Sequence, residues 1–276
     1  MSLFTLERPQ LCLITDPTVP NLPEIVEVAV ASGVTMLQVR GHQLSAADLY
    51  ALAMQLRPSC QQHGVAFIVN DRLDIGLAVE ADGFQLGKRC LPLRAARQVV
   101  GTGYLLGASV HSLREAQTAI TEGADFLLAG TIFASSSHPG EPTSGPDLLR
   151  EIKQMYPTCF LLTIGGITAA NAKQVMQAGA DGVAVISAIL RARDVQRTVT
   201  EFHTMLNETI TILANGQPRV SKAGCTVADL LQELNIKPTY VVVQLDGEIV
   251  PRTTDFAQVA LREGSKVEII TLAGGG

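Results

Sequence analysis

Short apolar runs alternate with longer segments of helical periodicity over the first three quarters of the chain. The apolar runs span 11–14, 36–40, 66–69, 83–86, 104–109, 126–129, 160–163 and 182–186. The segments with helical spacing span 22–31, 45–62, 71–79, 92–99, 112–122, 146–155, 168–178 and 193–206. Strands that alternate with helices in this way indicate βαβ units around a parallel sheet. Eight units in roughly 200 residues predict a compact (β/α)8 TIM barrel.

Local signals mark the ends of several predicted helices. Ser45 precedes a helical segment and is followed three positions later by Asp48, close to a capping box. Similar turns recur at 32–35, 122–125 and 178–181, each with a glycine between a helix and a strand. We interpret these glycines as left-handed helix C-caps on the bottom face of the barrel, where they serve stability.

The pattern changes after residue 207. Residues 209–214 alternate like a strand, Asn215-Gly216 favours a type I′ hairpin turn, and residues 217–220 continue as the returning strand. A helix follows at 227–234, and further strands are predicted at 240–245, 248–250 and 267–271. This order predicts a small α+β domain of the β-grasp, ubiquitin-like type. We therefore place the domains at 1–207 and 208–276.

Composition narrows the class of protein. The chain has 276 residues, of which 47% are hydrophobic and 17% charged, with a net charge of −5. It has no apolar run long enough to cross a membrane, no signal-like start and no basic patch, so we expect a cytoplasmic protein that binds neither membrane nor nucleic acid. Its 5 scattered cysteines lack paired spacing, which favours reduced thiols over disulfides or zinc.

Chemistry in a barrel of this kind comes from the carboxyl ends of the strands. Gly165 and Gly166 end the seventh strand, and Ser187 follows the eighth, so backbone N–H groups there favour a phosphate site over ordinary turns. Arg40 suits a carboxylate or phosphate, with an ion pair inside the mouth as its alternative role. The predicted substrate-binding residues are Gln38, Arg40, Asn70, Thr131, His138, Gly165, Gly166, Ile186 and Ser187.

His111 is the predicted catalytic residue. It stands immediately after the fifth strand, and histidine both takes and gives a proton near neutral pH. Its alternative role is to cap the following helix, which Ser112 can do instead.

Five segments of the barrel resemble the thiamine phosphate synthase and TenI superfamily. They are 37–40, 68–78, 83–87, 107–116 and 163–167, within a resemblance that covers about residues 10–206. The synthase branch joins a pyrimidine pyrophosphate to a thiazole phosphate with Mg2+. The TenI branch is a thiazole tautomerase that moves one proton of a carboxythiazole phosphate to give the aromatic isomer, and it needs no cofactor.

Residue-level differences from the synthase motifs favour the tautomerase. The synthase lysine two positions after Arg40 is His42 here, and the second of its two magnesium aspartates is Cys90. Asp71 matches the first aspartate. We expect no metal site if the chain is a tautomerase, and we expect Asp71 to be the metal ligand if it is a synthase. The synthase pyrophosphate loop is replaced by residues 135–138. The TenI motif Ser-Val-His-Ser is intact at 109–112, and it implies that His111 is the acid and base, although the TenI loop Cys-Lys is Ser137-His138 here.

The second domain resembles the sulfur carrier ThiS over its whole length. The resemblance is carried by 214–216, 226–231, 250–252 and the glycines 274–276. It implies that the carboxylate of Gly276, preceded by Gly275, is adenylated by a ThiF-like enzyme and converted to a thiocarboxylate for thiazole synthase.

We therefore expect a TenI-like thiazole tautomerase fused to a ThiS-like carrier in thiamine biosynthesis. A thiamine phosphate synthase fused to a carrier is the first alternative. A non-catalytic barrel that docks the carrier is the second. The expected partners are a thiazole phosphate, a ThiF-like adenylating enzyme and thiazole synthase, and the resemblance also admits a homodimer.

Overall fold

A computed structural model describes residues 6, 9–88, 90–135, 142–222, 225–251 and 253–271. The chain divides into two compact units, Met1–Leu206 and Asn207–Gly276. The second unit begins where the apolar pattern changes. Each unit is described by itself.

The first unit is a closed barrel of eight parallel strands. Each strand pairs with the next along the chain, and the last pairs with the first through the register Gln10↔Gly182 to Leu13↔Val185. The strands are β1 Gln10–Ile14, β2 Met36–Val39, β3 Ala66–Asn70, β4 Gly83–Leu86, β5 Leu105–Val110, β6 Phe126–Ala129, β7 Leu161–Ile164 and β8 Gly182–Val185. The predicted TIM barrel is confirmed.

Helices follow the strands, and some of them begin at a side-chain cap. The Ser45 side chain accepts the N–H of Asp48 at 3.1 Å, as the capping pattern predicts. None of the helices in the described ranges combines the length and apolar character that a membrane span needs. The helices are α1 Leu22–Ala31, α2 Ala46–His63, α3 Leu73–Ala78, α4 Leu93–Val100, α5 Leu113–Thr121, α6 Asp147–Met155, α7 Ala169–Gln177, α8 Ser187–Leu190 and α9 Val195–Leu206.

Two differences from the sequence expectations matter for the site. The third helix starts at Leu73 and not at Asp71, because Asp71 adopts a left-handed backbone with φ 59° and its carboxylate accepts a hydrogen bond from another loop. Strands β5 and β7 each run one residue further than predicted, to Val110 and Ile164. The first difference places Asp71 in a loop at the mouth of the barrel. The second places His111 and Gly165, which also line the mouth, directly after their strands.

Apolar side chains fill the barrel on both sides of its wall. Outside the sheet, one continuous core joins the strands to the helices and includes Leu37, Phe67 and Phe202. Inside the barrel, a smaller cluster includes Met36, Ile68 and Phe126. Because the interior is packed, a ligand has room at the mouth and not along the barrel axis.

Aspartates at the bottom of the barrel join neighbouring strands. Asp82, Asp125 and Asp181 each precede a strand. Each carboxylate accepts one backbone N–H near the start of the preceding strand and forms an ion pair with a cation on a helix. The partners are Phe67 and Arg57 for Asp82, Leu106 and Arg97 for Asp125, and Leu161 and Lys153 for Asp181. Gly123 and Gly179, which lie just before two of these aspartates, have the predicted positive φ of 92° and 98°.

The second unit is a five-stranded sheet in the order β10-β9-β13-β11-β12. Its outer pairs are antiparallel, and β13 runs parallel to β9 in the middle, which gives the β-grasp-like sheet. The helix α10 packs Leu230 and Leu231 into the core, and Thr226 and Asp229 form a capping box at its start. The elements are β9 Thr209–Ala214, β10 Gln217–Lys222, α10 Val227–Glu233, β11 Val241–Leu245, β12 Glu248–Val250 and β13 Lys266–Thr271.

We expect Asp181→Ala to lower the free energy of unfolding of the barrel by about 3–5 kcal/mol. The Asp181 side chain is 8% exposed, and its loss leaves the Lys153 ammonium, 2.6 Å away and 15% exposed, without its buried counter-charge. Urea unfolding followed by circular dichroism measures the change.

The matched control is Asp147→Ala. Asp147 pairs with Arg150 on the surface of the same helix and is 82% exposed, so its loss should cost about 0–1 kcal/mol. Equal effects of the two substitutions would show that the bottom ion pair contributes no more than a surface pair.

Candidate active site

The carboxyl ends of the barrel strands surround a cavity of about 620 Å³, which is a size suited to a small-molecule ligand. The residues predicted from the sequence that line it are Gln38, Arg40, Asn70, His111, Thr131, Gly165, Gly166, Ile186 and Ser187. Asp71, the predicted ligand in the synthase alternative, lines the same cavity. His138, Gly275 and Gly276 lie outside the described residues.

His42 and Ser109, which the sequence also places at strand ends, line the cavity, and the structure adds Lys88 and Ser135. Lys88 is the addition that sequence reasoning missed entirely. It stands two positions after strand β4 ends at Leu86, and a polar residue at that distance from a strand end was the signal that could have found it.

One side of the mouth is built from the turns after β7 and β8. Gly165 and Gly166 have φ of 104° and 62°, which favours glycine, and the carboxamide of Asn171 donates to the Gly166 carbonyl at 2.9 Å. Ser187 begins α8, which is only four residues long. We call Gly165, Gly166 and Ser187 the glycine side of the mouth.

The glycines also have a packing role. The backbone N–H of Phe133 donates to the Gly165 carbonyl at 3.0 Å, which holds the loop after β6 against this turn. A Cβ atom added to Gly166 would lie 2.4 Å from the carbonyl oxygen of Ala134. Close backbone packing therefore explains Gly166 independently of any ligand, and a bulky substitution there tests both roles together.

The loops after β2, β3 and β4 form the opposite side of the mouth. The Asp71 carboxylate accepts the backbone N–H of Gly87 through Oδ1 at 2.7 Å, and its Oδ2 lies 3.9 Å from His42 Nδ1. Its left-handed backbone is uncommon for a residue other than glycine and is held here by this contact. We call Arg40, His42, Asp71 and Lys88 the charged side of the mouth.

His111 follows β5, between the charged side and the loop after β6. Its backbone N–H donates to Glu115 Oε2 at 2.7 Å, and Oε1 of the same carboxylate is 3.0 Å from Lys88 Nζ. Burial works against ionisation of Glu115, but the hydrogen bonds from Lys88 and from the His111 N–H outweigh it and hold the pKa of Glu115 below its usual value. One ionised carboxylate therefore joins Lys88 to the backbone of His111.

Neutral polar groups lie deeper in the cavity. The Gln38 carboxamide donates to Asn70 Oδ1 at 2.6 Å, and the Gln85 carboxamide donates to Ser109 Oγ at 3.1 Å. The backbone of Arg40 is fixed by two hydrogen bonds with the Thr15 hydroxyl. The mouth thus has a polar floor between the glycine side and the charged side.

Fold and cavity together define a (β/α)8 barrel with a polar, ligand-sized site at its strand ends. A family model described as thiamine monophosphate synthase matches residues 11–189, and the ThiS family model matches residues 205–276. The chain belongs to the thiamine monophosphate synthase (TMP-TENI) family and carries a ThiS domain, which confirms both resemblances. Its place is therefore in thiamine biosynthesis, and the ThiS domain implies sulfur-transfer partners.

Individual relatives cover most of the barrel. A thiamine-phosphate synthase of Coprothermobacter proteolyticus is 38% identical over 68% of this chain and 90% of its own length. One of Geobacillus kaustophilus is 43% identical over 61% of this chain and 78% of its own length. The structure of a thiamine phosphate pyrophosphorylase from Pyrococcus furiosus covers 72% of this chain and 95% of its own, with 35% identity and a TM-score of 0.67.

The names of these relatives favour the synthase, which the motif comparison had ranked second, over the tautomerase. Lys88, from the loop after β4, lines the same cavity as His42, the residue that stands where the synthase motif has a lysine.

We expect Gly166→Ala to destabilise the barrel more than Gly123→Ala. Both glycines have positive φ, but a Cβ at Gly123 meets no atom within 4 Å, so Gly123→Ala measures the backbone cost alone, about 1 kcal/mol. The contact with Ala134 should add about 1–3 kcal/mol at Gly166. Urea unfolding of both variants measures the difference, and equal losses would contradict the packing role of Gly166.

Proposed function

We propose that the barrel is a thiamine-phosphate synthase, which joins a pyrimidine pyrophosphate to a thiazole phosphate. The observation that carries this proposal is that the glycine side and the charged side line one cavity. In a closed eight-stranded barrel, the loops after β3 and β7 face each other across the mouth, since three strands lie between them in either direction. Two phosphorylated substrates therefore have separate sites with the polar floor between them.

The thiazole phosphate fits the glycine side. Backbone N–H groups of a glycine turn and the hydroxyl of Ser187 suit a phosphate monoester, because small residues let its oxygens approach the backbone. The diphosphate fits the charged side, where Arg40 and Lys88 supply positive charge and His42 can add more. Holding both substrates in one orientation supplies a large part of the rate enhancement of a two-substrate reaction.

The described residues of the charged side fit a magnesium ion with a single protein carboxylate. Magnesium takes one or two carboxylates and completes its coordination with substrate phosphates and water, so Asp71 would hold it together with the diphosphate. When bound, the ion neutralises charge on a diphosphate leaving group. Cys90 cannot replace the second aspartate, because burial raises the pKa of its thiol and magnesium prefers oxygen ligands.

The remaining steps belong to the residues of this chain. The Gly87 N–H holds the Asp71 carboxylate in place, and the cations Arg40 and Lys88 orient the diphosphate and stabilise the charge that develops on it as it leaves. The linked carboxamides of Gln38 and Asn70 offer hydrogen bonds to the polar edge of a heterocycle.

We expect purified protein to couple the two substrates only with magnesium, and Asp71→Asn to lower kcat/KM for coupling by about a hundredfold or more. A product assay with and without the metal measures this. Asp147→Asn is the control, because it makes the same change at an exposed helix surface. Undiminished coupling by Asp71→Asn would show that the Asp71 carboxylate does not hold the metal.

A tautomerase is the second candidate, and the position of His111 favours it. His111 lines the cavity, and the Glu115 carboxylate accepts its backbone N–H. A residue that moves a proton within a carboxythiazole phosphate must lie within reach of that ligand in a fixed position. This reaction needs no metal. In that case His111→Asn should lower turnover by about a hundredfold, whereas Asp71→Asn should have little effect. The two variants thus give opposite results for the two activities, and a barrel inactive in both assays would support a docking role.

For the second unit, we propose a sulfur-carrier function. The ThiS family match extends to residue 276, and the last described strand, β13, ends at Thr271. A ThiF-like partner would join the Gly276 carboxylate to AMP from ATP with release of pyrophosphate. A sulfur donor would then displace AMP and leave a thiocarboxylate for thiazole synthase. Glycines suit this role because a tail without side chains can enter a partner's active site.

We expect deletion of Gly275 and Gly276 to abolish the carrier reaction and to leave barrel catalysis intact. The deletion follows β13, whose Val267 and Ile269 supply the buried contacts, so the second unit should stay folded. Intact mass after incubation with a ThiF-like enzyme, ATP and a sulfur donor should increase by the difference between sulfur and oxygen. Omission of ATP is the control, and an unmodified full-length chain beside an active partner would refute the carrier role.

A further inference from the structure

Lys88 lies at the charged side of the mouth in a position that none of the motifs assigns. It lines the cavity from the loop after β4, and its side chain is 63% exposed. Its Nζ is 3.0 Å from Glu115 Oε1 on α5, which follows the next strand. A lysine ammonium has three N–H donors, so Lys88 can donate to Glu115 and to a bound anion together.

Glu115 is itself fixed in place. Its other oxygen accepts the His111 N–H at 2.7 Å, and its own backbone N–H donates to the cap residue Ser112 at 3.2 Å. The carboxylate therefore cannot follow Lys88 away from α5, and it restricts where the ammonium lies. A partly exposed ion pair contributes little net free energy, so Lys88 can turn to a multiply charged anion at a small energetic cost.

The surroundings of Lys88 point to the class of anion. Gly87, its neighbour in the chain, donates its N–H to the Asp71 carboxylate at 2.7 Å, so Lys88 lies next to the proposed magnesium ligand. Arg40 lines the same side. A diphosphate has more oxygens to share among Arg40, Lys88 and a metal that Asp71 would hold than a monophosphate has.

We propose that Lys88 binds the diphosphate of the pyrimidine substrate and that Glu115 is the positioning residue that holds it there. This inference rests on the proposed synthase function and specifies its diphosphate subsite. Lys88 supplies a positive charge on the same side of the mouth as Arg40 and Asp71. The chain thereby keeps a fixed cation beside Asp71, delivered from the loop after β4 in place of the loop after β2.

Binding of inorganic pyrophosphate to the full chain, measured by calorimetry with magnesium present, tests the proposal without any turnover. We expect Lys88→Ala to raise Kd by about tenfold or more, as loss of a charge-assisted hydrogen bond does, and Lys88→Arg to restore much of the affinity. Arg94→Ala is the control, because it removes one positive charge from an exposed position on α4 that does not line the cavity. Thermal unfolding confirms that each variant is folded.

Glu115→Gln tests the positioning role. It removes the charge that restrains Lys88 but keeps a hydrogen-bond acceptor for the His111 N–H, so it should raise Kd for pyrophosphate by less than Lys88→Ala does. With substrates, both variants should raise KM for the pyrimidine pyrophosphate and leave KM for the thiazole phosphate unchanged.

Three outcomes would overturn the inference: no binding of pyrophosphate by the unmodified chain, unchanged affinity in Lys88→Ala, or equal losses in Lys88→Ala and Arg94→Ala. If pyrophosphate binds through Lys88 but the two substrates are never coupled, the synthase function fails while the anion subsite stands. The two proposals therefore fail in different experiments.

Discussion

Closure of the barrel is the constraint on which the rest of the first unit depends. Strand β8 must pair with β1, and Gly182 permits this because a Cβ there would lie 2.3 Å from the carbonyl oxygen of Gln10. At the bottom, the aspartates that precede β4, β6 and β8 accept a backbone N–H of the preceding strand, which helps to fix the register of these three strand pairs. A closed sheet has no exposed edge, and its strand ends converge on one mouth.

Closure also decides how the mouth is divided. Glycine turns after β7 and charged loops after β2 to β4 come from distant parts of the chain, yet they face each other because the strands lie in order around a circle. Short links then stiffen the charged side: Gly87 holds Asp71, and Glu115 joins Lys88 to the backbone of His111. Such cross-links between loops keep charged groups oriented toward a ligand without the cost of reorganising them.

The chain combines two units whose families serve one biosynthetic route. The barrel belongs to the thiamine monophosphate synthase family, and the second unit carries the ThiS domain. Under either proposed barrel activity, the proposed sulfur carrier and the barrel would act at neighbouring stages of that route. The two proposed barrel activities differ in the residue each would depend on, Asp71 for the synthase and His111 for the tautomerase, and not in the fold, because one scaffold can support both chemistries.

The sequence by itself determined the elements whose signals are local. The helix Leu22–Ala31 and the strands Gly83–Leu86 and Thr209–Ala214 were predicted to the residue, since apolar spacing, caps and turn glycines act within a few positions. The predicted strand ends likewise placed residues such as Gln38, Asn70 and His111 at the mouth. Only the tertiary structure decided that Asp71 leaves the helix to accept the Gly87 N–H, that Gly166 packs against Ala134, and that Lys88 meets Glu115. Those contacts join residues from different loops, and their distances exist only once the sheet has closed.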